Sequence, residues 1–177
     1  MTATKSTRIN PYQQAERVMG AFNAFDDAVN ATSLDLTLVE LVKIRASQIN
    51  RCPACIETHV RRAREKAGES ELRLYLLDAW RESSLYTSRE RAALAWTEAL
   101  TLIAETGAPD EAYDAVRQHL TDDELVELTM VIVTINAWNR FSVGFRRPHS
   151  RRPIAVSEPA KFDADGHELG VRERGNT

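Results

Sequence analysis

Residues 38–59 read LVELVKIRASQINRCPACIETH, and apolar side chains recur through their first half at the spacing of a buried helix. Asp35 is a good N-cap for this helix, and Asn50 and Arg51 close it. The cysteines and Pro53 then begin another helix, because proline suits the first helical turn. The stretch predicts two successive helices joined by a reversal at residues 50–52.

The same helical periodicity continues along most of the chain, and no strand is indicated. We predict an all-α fold, a bundle of about seven helices in a single domain over residues 10–147, with its core motif at 36–98. The nearly all-apolar segment 92–103 should lie at the centre. From residue 148 to 177, prolines, glycines and charges leave little to pack, so we expect an extended or disordered tail.

Composition excludes several classes of function. A hydrophobic fraction of 43% and a charged fraction of 28% are ordinary for a globular protein, and the net charge of −3 favours neither nucleic acid nor an anionic membrane as a partner. The polar first residues lack the apolar run of a secretory signal, and no segment approaches the length of a membrane span. We therefore expect a cytoplasmic protein.

Chemistry is indicated by the two cysteines, Cys52 and Cys55, and by His59. On a helix, positions i, i+3 and i+7 share one face, so the three side chains should form one stripe. Thiols at a helix N-terminus have a lowered pKa, and the thiolate is the nucleophile. His59 is four residues after Cys55 and could accept its proton. These features favour a redox-active dithiol.

Three alternatives remain open for these cysteines. They could form a structural disulfide, although closing so short a loop stabilises little. They could bind zinc together with His59 and a carboxylate, although structural zinc sites usually use a second ligand pair. They could also be buried thiols without a role. Our preferred interpretation requires neither a metal nor a cofactor.

Glu40 is the fourth candidate site residue, and it allows two interpretations. It could be a solvated side chain paired with Lys43 on the same helix. Alternatively, the reversal at Asn50 and Arg51 could fold it back onto the cysteine helix, where it would orient His59.

The arrangement of Glu40, Cys52, Cys55 and His59 resembles the alkylhydroperoxidase AhpD-like core of the carboxymuconolactone decarboxylase family. A glutamate is followed after twelve positions by Cys-x-x-Cys and then by x-x-x-His. The similarity continues through LYLLDAWRES (74–83), ERAALAWTEA (90–99) and INAWNR (135–140), and it covers about residues 10–147.

This resemblance implies an oligomeric helical subunit, in trimers or hexamers, and a peroxidase cycle. It implies that Cys55 attacks an organic or hydrogen peroxide and that Cys52 resolves the resulting sulfenic acid to a disulfide. His59 would be the base, supported by Glu40. A lipoylated or thioredoxin-like dithiol protein would reduce the disulfide.

One residue departs from the family pattern. Ala54 stands where well-studied peroxidase members have a second histidine, so one proton-relay group is missing. A non-catalytic redox sensor or a general dithiol–disulfide exchange protein therefore remains the alternative function.

A polar group near the end of the last predicted helix also has two interpretations. Asn136, Asn139 and Arg140 could cap and pack the helix end, where backbone carbonyls lack partners. They could instead form a wall of the active site or of a subunit contact, together with Trp138. Trp80 and Trp96 are expected in the core or at an interface.

Overall fold

The computed structural model describes residues 8–149 and two short strand segments at 161–162 and 168–169. The described residues confirm the all-α class. They form nine α-helices instead of about seven: α1 Pro11–Gln14, α2 Glu16–Asn30, α3 Leu36–Ile49, α4 Pro53–Ala67, α5 Glu71–Leu76, α6 Ser88–Thr101, α7 Ile103–Thr106, α8 Asp110–Arg117 and α9 Asp122–Gly144. A 3₁₀ turn, Leu77–Ala79, continues α5.

Two backbone breaks account for the higher number. The N-terminal helical segment divides at Ala15, whose dihedral angles of φ −138° and ψ 48° are not helical. The helical segment that begins at Ser88 divides at Leu102, with φ −102° and ψ 30°. There the hydroxyl of Thr106 donates to the carbonyl of Ala99 at 2.7 Å, which satisfies an acceptor at the end of α6. Neither break is marked by glycine or proline in the sequence.

The other helix ends follow from capping chemistry. The Asp35 carboxylate accepts the backbone N–H of Leu38 at 3.1 Å and starts α3. Thr87 and Thr121 each form a reciprocal capping box with the glutamate three residues on, at the starts of α6 and α9. Gly68 ends α4 in the left-handed conformation, with φ 69°.

Helix α3 lies at the centre and packs against α4, α6 and α9. Its residues from Leu38 to Ile44 are buried on every side. One apolar cluster joins α3 to α6, α8 and α9, and a second joins it to α4, α5 and α6. The central position predicted for segment 92–103 is confirmed for α6, whereas Ile103 in α7 is exposed. Trp80 and Trp96 both lie in this core.

In the predicted tail, Lys161–Phe162 pairs with Glu168–Leu169 as two antiparallel two-residue strands. The rest of that prediction, from residue 150 onward, lies outside the described residues. Within the part of the chain that is described, every helix is too short or too polar to cross a lipid bilayer.

Candidate functional site

The two cysteines lie at the start of α4 and are joined as a disulfide, with their Cα atoms 5.4 Å apart. Cys52 is the N-cap residue, and its Sγ accepts the backbone N–H of Cys55 at 3.3 Å. The Cys52 side chain is completely buried, whereas Cys55 remains 6% exposed. Both cysteines therefore lie at the helix N-terminus, as the sequence predicted, and one backbone N–H is directed at the sulfur of Cys52.

A backbone turn between α3 and α4 fixes the position of the disulfide. The N–H of Cys52 bonds to the carbonyl of Ser47 at 3.0 Å, and the N–H of Arg51 bonds to that of Gln48 at 3.0 Å. These two bonds make a Schellman motif, which requires a left-handed residue after the helix. Arg51 occupies that position with φ 53°, a conformation that usually favours glycine.

Buried amides hold this turn against α9. The side-chain N–H₂ of Asn50 donates to the Oδ1 atoms of Asn136 and Asn139, both at 2.9 Å. Asn139 in turn donates to the hydroxyl of Ser47 at 3.0 Å, and Asn136 donates to that of Thr101 at 3.1 Å. The asparagines of α9 thus pack against the cysteine turn, as the first interpretation expected, but they do not cap the helix, because α9 continues to Gly144. Trp138 instead lines a cavity beside Cys55 and His59, as the second interpretation expected.

The imidazole of His59 lies in direct contact with Glu40. The Nδ1 atom of His59 is 2.7 Å from Oε2 of Glu40, whose side chain is completely buried. Because a carboxylate only accepts hydrogen bonds, the imidazole donates through Nδ1, and Nε2 carries the lone pair. The other oxygen, Oε1, lies 3.2 Å from Nε of Arg62 as an ion pair without hydrogen-bond geometry.

Burial lowers the pKa of His59 below its ordinary value, although the hydrogen bond and charge of Glu40 oppose this shift. Lys43 and Arg62 add to the lowering because their positive charges disfavour an imidazolium. The neutral imidazole is therefore the resting form near neutral pH, and its Nε2 atom is available as a proton acceptor.

Cys55 and His59 open into a cavity of about 200 Å3 between α2, α3, α4 and α9. Its wall also includes Asp26 of α2, Lys43 of α3 and Arg62 of α4. The structure thus brings together all four residues selected from the sequence: Cys55 and His59 line the cavity, Glu40 lies behind His59, and Cys52 lies behind Cys55.

Four charged side chains of this cavity were not selected as site residues from the sequence: Asp26, Lys43, Arg62 and Arg147. Lys43 is only 3% exposed, so the interpretation of Glu40 and Lys43 as a solvated pair is wrong. A signal for its burial exists, because Lys43 stands between Val42 and Ile44 in a stretch of mostly apolar residues. Arg62 extends the cysteine stripe by three further positions, which places it on the same helix face as His59.

A second, mostly apolar cavity of about 240 Å3 adjoins the first. Tyr12, Trp138 and Ser142 belong to the walls of both cavities. Its remaining wall is formed largely by Met19, Phe141 and Phe145. Trp138 also packs beside the cysteines, so an apolar group in this chamber would lie next to the disulfide.

Among the described residues, no group of three or more His, Cys, Asp or Glu side chains is arranged to hold a metal ion. Cys52 and Cys55 are bonded to each other, and His59 and Glu40 are in mutual contact. The arrangement can supply a reducible sulfur pair and a positioned base at the bottom of a small cavity.

Comparison with known proteins identifies the family. Residues 16–99 match the carboxymuconolactone decarboxylase family. YdfG of Bacillus subtilis, an uncharacterized protein, is 41% identical over 138 residues, which are 78% of this chain and 93% of YdfG.

Solved structures agree with this assignment. One similar structure is an Agrobacterium tumefaciens protein of unknown function, suggested to be the antioxidant defence protein AhpD. It is 43% identical and superposes with a TM-score of 0.80, and the match covers 83% of this chain and 100% of that protein. The alkylhydroperoxidase AhpD core of an uncharacterized peroxidase-related protein from Ralstonia eutropha shares the fold alone, with a TM-score of 0.69 at 17% identity over 79% of this chain and 74% of that one. The chain belongs to the carboxymuconolactone decarboxylase family and has the AhpD-like fold.

Proposed function

We propose that this protein is a thiol-dependent peroxidase that reduces organic or hydrogen peroxides through the Cys52–Cys55 pair. The observation that carries the proposal is the shared cavity: Cys55 opens into it beside His59, and a buried carboxylate holds the other side of that imidazole. A purely structural disulfide would need neither a cavity at one sulfur nor a positioned base.

The proposed cycle assigns different roles to the two sulfurs. In the reduced protein, Nε2 of His59 accepts the proton of Cys55, and Glu40 stabilises the imidazolium. The thiolate attacks the outer peroxide oxygen, which leaves a sulfenic acid on Cys55. Cys52 then attacks that sulfur, water departs, and the disulfide forms. A dithiol supplies two electrons to restore both thiols.

Two features support Cys55 as the attacking thiol. It lines the cavity, whereas Cys52 is completely buried behind it. His59 also follows Cys55 by four residues, one helical turn, which brings the base to this thiol. The helix macrodipole acts in the opposite sense, since Cys52 is nearer the N-terminus. We assign the greater weight to the cavity, because a peroxide must reach the sulfur it oxidises.

The adjoining apolar cavity favours an organic peroxide as a substrate. Its aromatic wall can remove the hydrocarbon part of such a molecule from water while the peroxide group reaches Cys55. Hydrogen peroxide has no group that would gain from this chamber, so it should react without the added binding energy.

The proposal includes two kinds of protein partner. The reductant is a dithiol protein, either lipoylated or thioredoxin-like. The second partner is the chain itself, as a trimer or hexamer, because large apolar side chains such as Val126 and Val133 remain exposed on α9. A mass near 19.9 kDa in light scattering would contradict an oligomer.

A peroxidase assay coupled to a dithiol tests the function. Purified protein is supplied with reduced lipoamide or thioredoxin and with hydrogen peroxide, tert-butyl hydroperoxide or cumene hydroperoxide. We expect catalytic consumption of peroxide that is lost in Cys55→Ser and in Cys52→Ser. If the protein is oxidised once and none of the reductants sustains turnover, the redox sensor would be favoured. Disulfide exchange without peroxide consumption would favour an exchange protein.

A further inference from the structure

Lys43 places a buried ammonium group in the wall of the cysteine cavity, and the cycle described above gives it no role. Its side chain is 3% exposed, and its Nζ atom donates to Oδ1 of Asn30 at 2.5 Å. The residue lies on α3 one turn after Glu40, and it shares the cavity with Cys55 and His59. Burying an ammonium group costs free energy unless hydrogen bonds or nearby opposite charges compensate for the lost hydration.

Cleavage of a peroxide requires a proton donor as well as a base. When the Cys55 thiolate attacks a hydroperoxide, the departing oxygen leaves as an alkoxide or hydroxide. Such an anion is a strong base, since water and alcohols are very weak acids, and it departs slowly unless a proton arrives in the transition state. His59 has by then accepted the thiol proton on Nε2, and the contact of its Nδ1 atom with Glu40 stabilises the resulting imidazolium.

Several other polar groups of the cavity are poor proton donors. Arg62 and Arg147 carry guanidinium groups, which do not release protons near neutral pH. The hydroxyl of Thr58 already donates to the carbonyl of Ala54 at 2.8 Å. The carboxylate of Asp26 accepts hydrogen bonds. An ammonium with three N–H bonds, only one of which is directed at Asn30, is better suited to the task.

We propose that Lys43 donates the proton to the leaving oxygen when Cys55 cleaves the peroxide. The inference rests on the proposed peroxidase function and adds a catalytic group to it. In the step, the thiolate forms an S–O bond to the outer oxygen as the O–O bond breaks. The inner oxygen keeps the bonding pair and takes a proton from Nζ. The products are the Cys55 sulfenic acid, an alcohol and a neutral Lys43 amine, while His59 holds the former thiol proton.

The surroundings of Lys43 suit a proton donor. Burial lowers the pKa of its ammonium below the ordinary lysine value, and Arg62 adds to this effect, while Glu40 and Asp26 oppose it. The ammonium is therefore a stronger acid than a lysine in water. After the step, the His59 imidazolium and the neutral Lys43 amine face the same cavity, so a proton can return to Lys43 through solvent.

The test compares two peroxides that differ in their need for a proton. tert-Butyl hydroperoxide releases an alkoxide, whereas peracetic acid releases acetate, a weak base whose acid has a pKa near 4. We expect Lys43→Met to slow oxidation of the reduced protein by tert-butyl hydroperoxide about 100-fold or more. The same variant should react with peracetic acid within roughly threefold of the parent rate, because that leaving group departs without acid catalysis. The matched control is Lys66→Met, which changes an exposed lysine of α4 and should alter neither rate.

Several outcomes would overturn the inference. An equal loss with both peroxides would show that Lys43 shapes or charges the site without donating a proton. No loss with tert-butyl hydroperoxide would indicate that His59 returns the proton itself. If Lys43→Met does not fold, Lys43→Arg keeps the charge but not a transferable proton, and it should show the same selective loss. Full activity of Lys43→Arg with tert-butyl hydroperoxide would refute the proposal. A parent protein that reacts with neither peroxide would refute the proposed function instead.

Discussion

Replacing Glu40 by glutamine tests whether the buried carboxylate makes His59 a base. The substitution keeps the volume of the side chain and removes its charge. Its amide oxygen should turn toward Arg62, which stands 3.2 Å from Oε1, and its N–H₂ would then face Nδ1 of His59. An N–H donated to Nδ1 leaves the imidazole protonated on Nε2, where it can no longer accept the thiol proton of Cys55.

The size of the effect follows from the contact that is lost. A hydrogen bond to a charged group contributes about 1.5–3 kcal/mol, and each 1.36 kcal/mol is a factor of ten in rate. Loss of the charge alone should therefore slow oxidation of Cys55 about 10- to 150-fold. A reversed tautomer would slow it further, up to roughly the 10⁴-fold cost of the corresponding aspartate-to-asparagine change in a catalytic triad.

The assay is rapid mixing of reduced protein with a hydroperoxide, followed by tryptophan fluorescence, since Trp138 packs beside the cysteines. Glu65→Gln is the control, because Glu65 is an exposed glutamate of α4. The rate of Glu40→Gln should recover as the pH approaches about 8.5, where a free thiol ionises without a base. A loss of less than about threefold at pH 7, or a loss independent of pH, would refute the role assigned to Glu40.

Three further predictions concern the fold around the site, each measured by urea unfolding. Arg51→Gly should raise the free energy of unfolding by about 1 kcal/mol, because Arg51 has φ 53°; a decrease would argue against the left-handed turn. Asn50→Ala should lower it by about 1–3 kcal/mol, since the buried oxygen of Asn139 loses its donor, while that of Asn136 keeps the Arg140 guanidinium at 3.0 Å; a change below about 0.5 kcal/mol would contradict that network. Folding lowers the pKa of His59, so the unfolded chain binds more protons than the folded chain below about pH 6.5. The free energy of unfolding should therefore be highest above about pH 6.5 and should fall by up to about 1.4 kcal/mol at pH 5.5. In His59→Gln that decrease should disappear, and an unchanged pH profile in this variant would refute the assignment.

The sequence predicts the local part of the site well. The cysteine stripe and the start of α4 depend on Cys52, Pro53, Cys55 and His59 within one helix, where spacing alone determines the shared face. The turn before α4 likewise depends on neighbouring residues. For such features, short-range geometry and capping chemistry leave few alternatives.

Contacts between distant segments were less accessible from the sequence. The spacing allowed Glu40 to be either solvated or folded onto His59, and only the packing of α3 against α4 distinguishes the two. The apolar cavity is lined by Tyr12 of α1, Met19 of α2 and Phe145 after α9, which are far apart in the chain. The break at Leu102 has no glycine or proline to mark it in the sequence, although the hydroxyl of Thr106 satisfies the carbonyl of Ala99 there.

The two single cysteine variants, oxidised side by side, test the central claim most directly. Reduced Cys52→Ser is expected to consume about one peroxide per subunit and to stop at a trappable sulfenic acid on Cys55, because no resolving thiol remains. Reduced Cys55→Ser should react far more slowly under the same conditions, since Cys52 is buried behind it. Mass spectrometry of trapped protein locates the modified sulfur. Rapid sulfenic acid formation at Cys52 in the Cys55→Ser protein, or no reaction in either variant, would contradict Cys55 as the peroxide-reducing thiol.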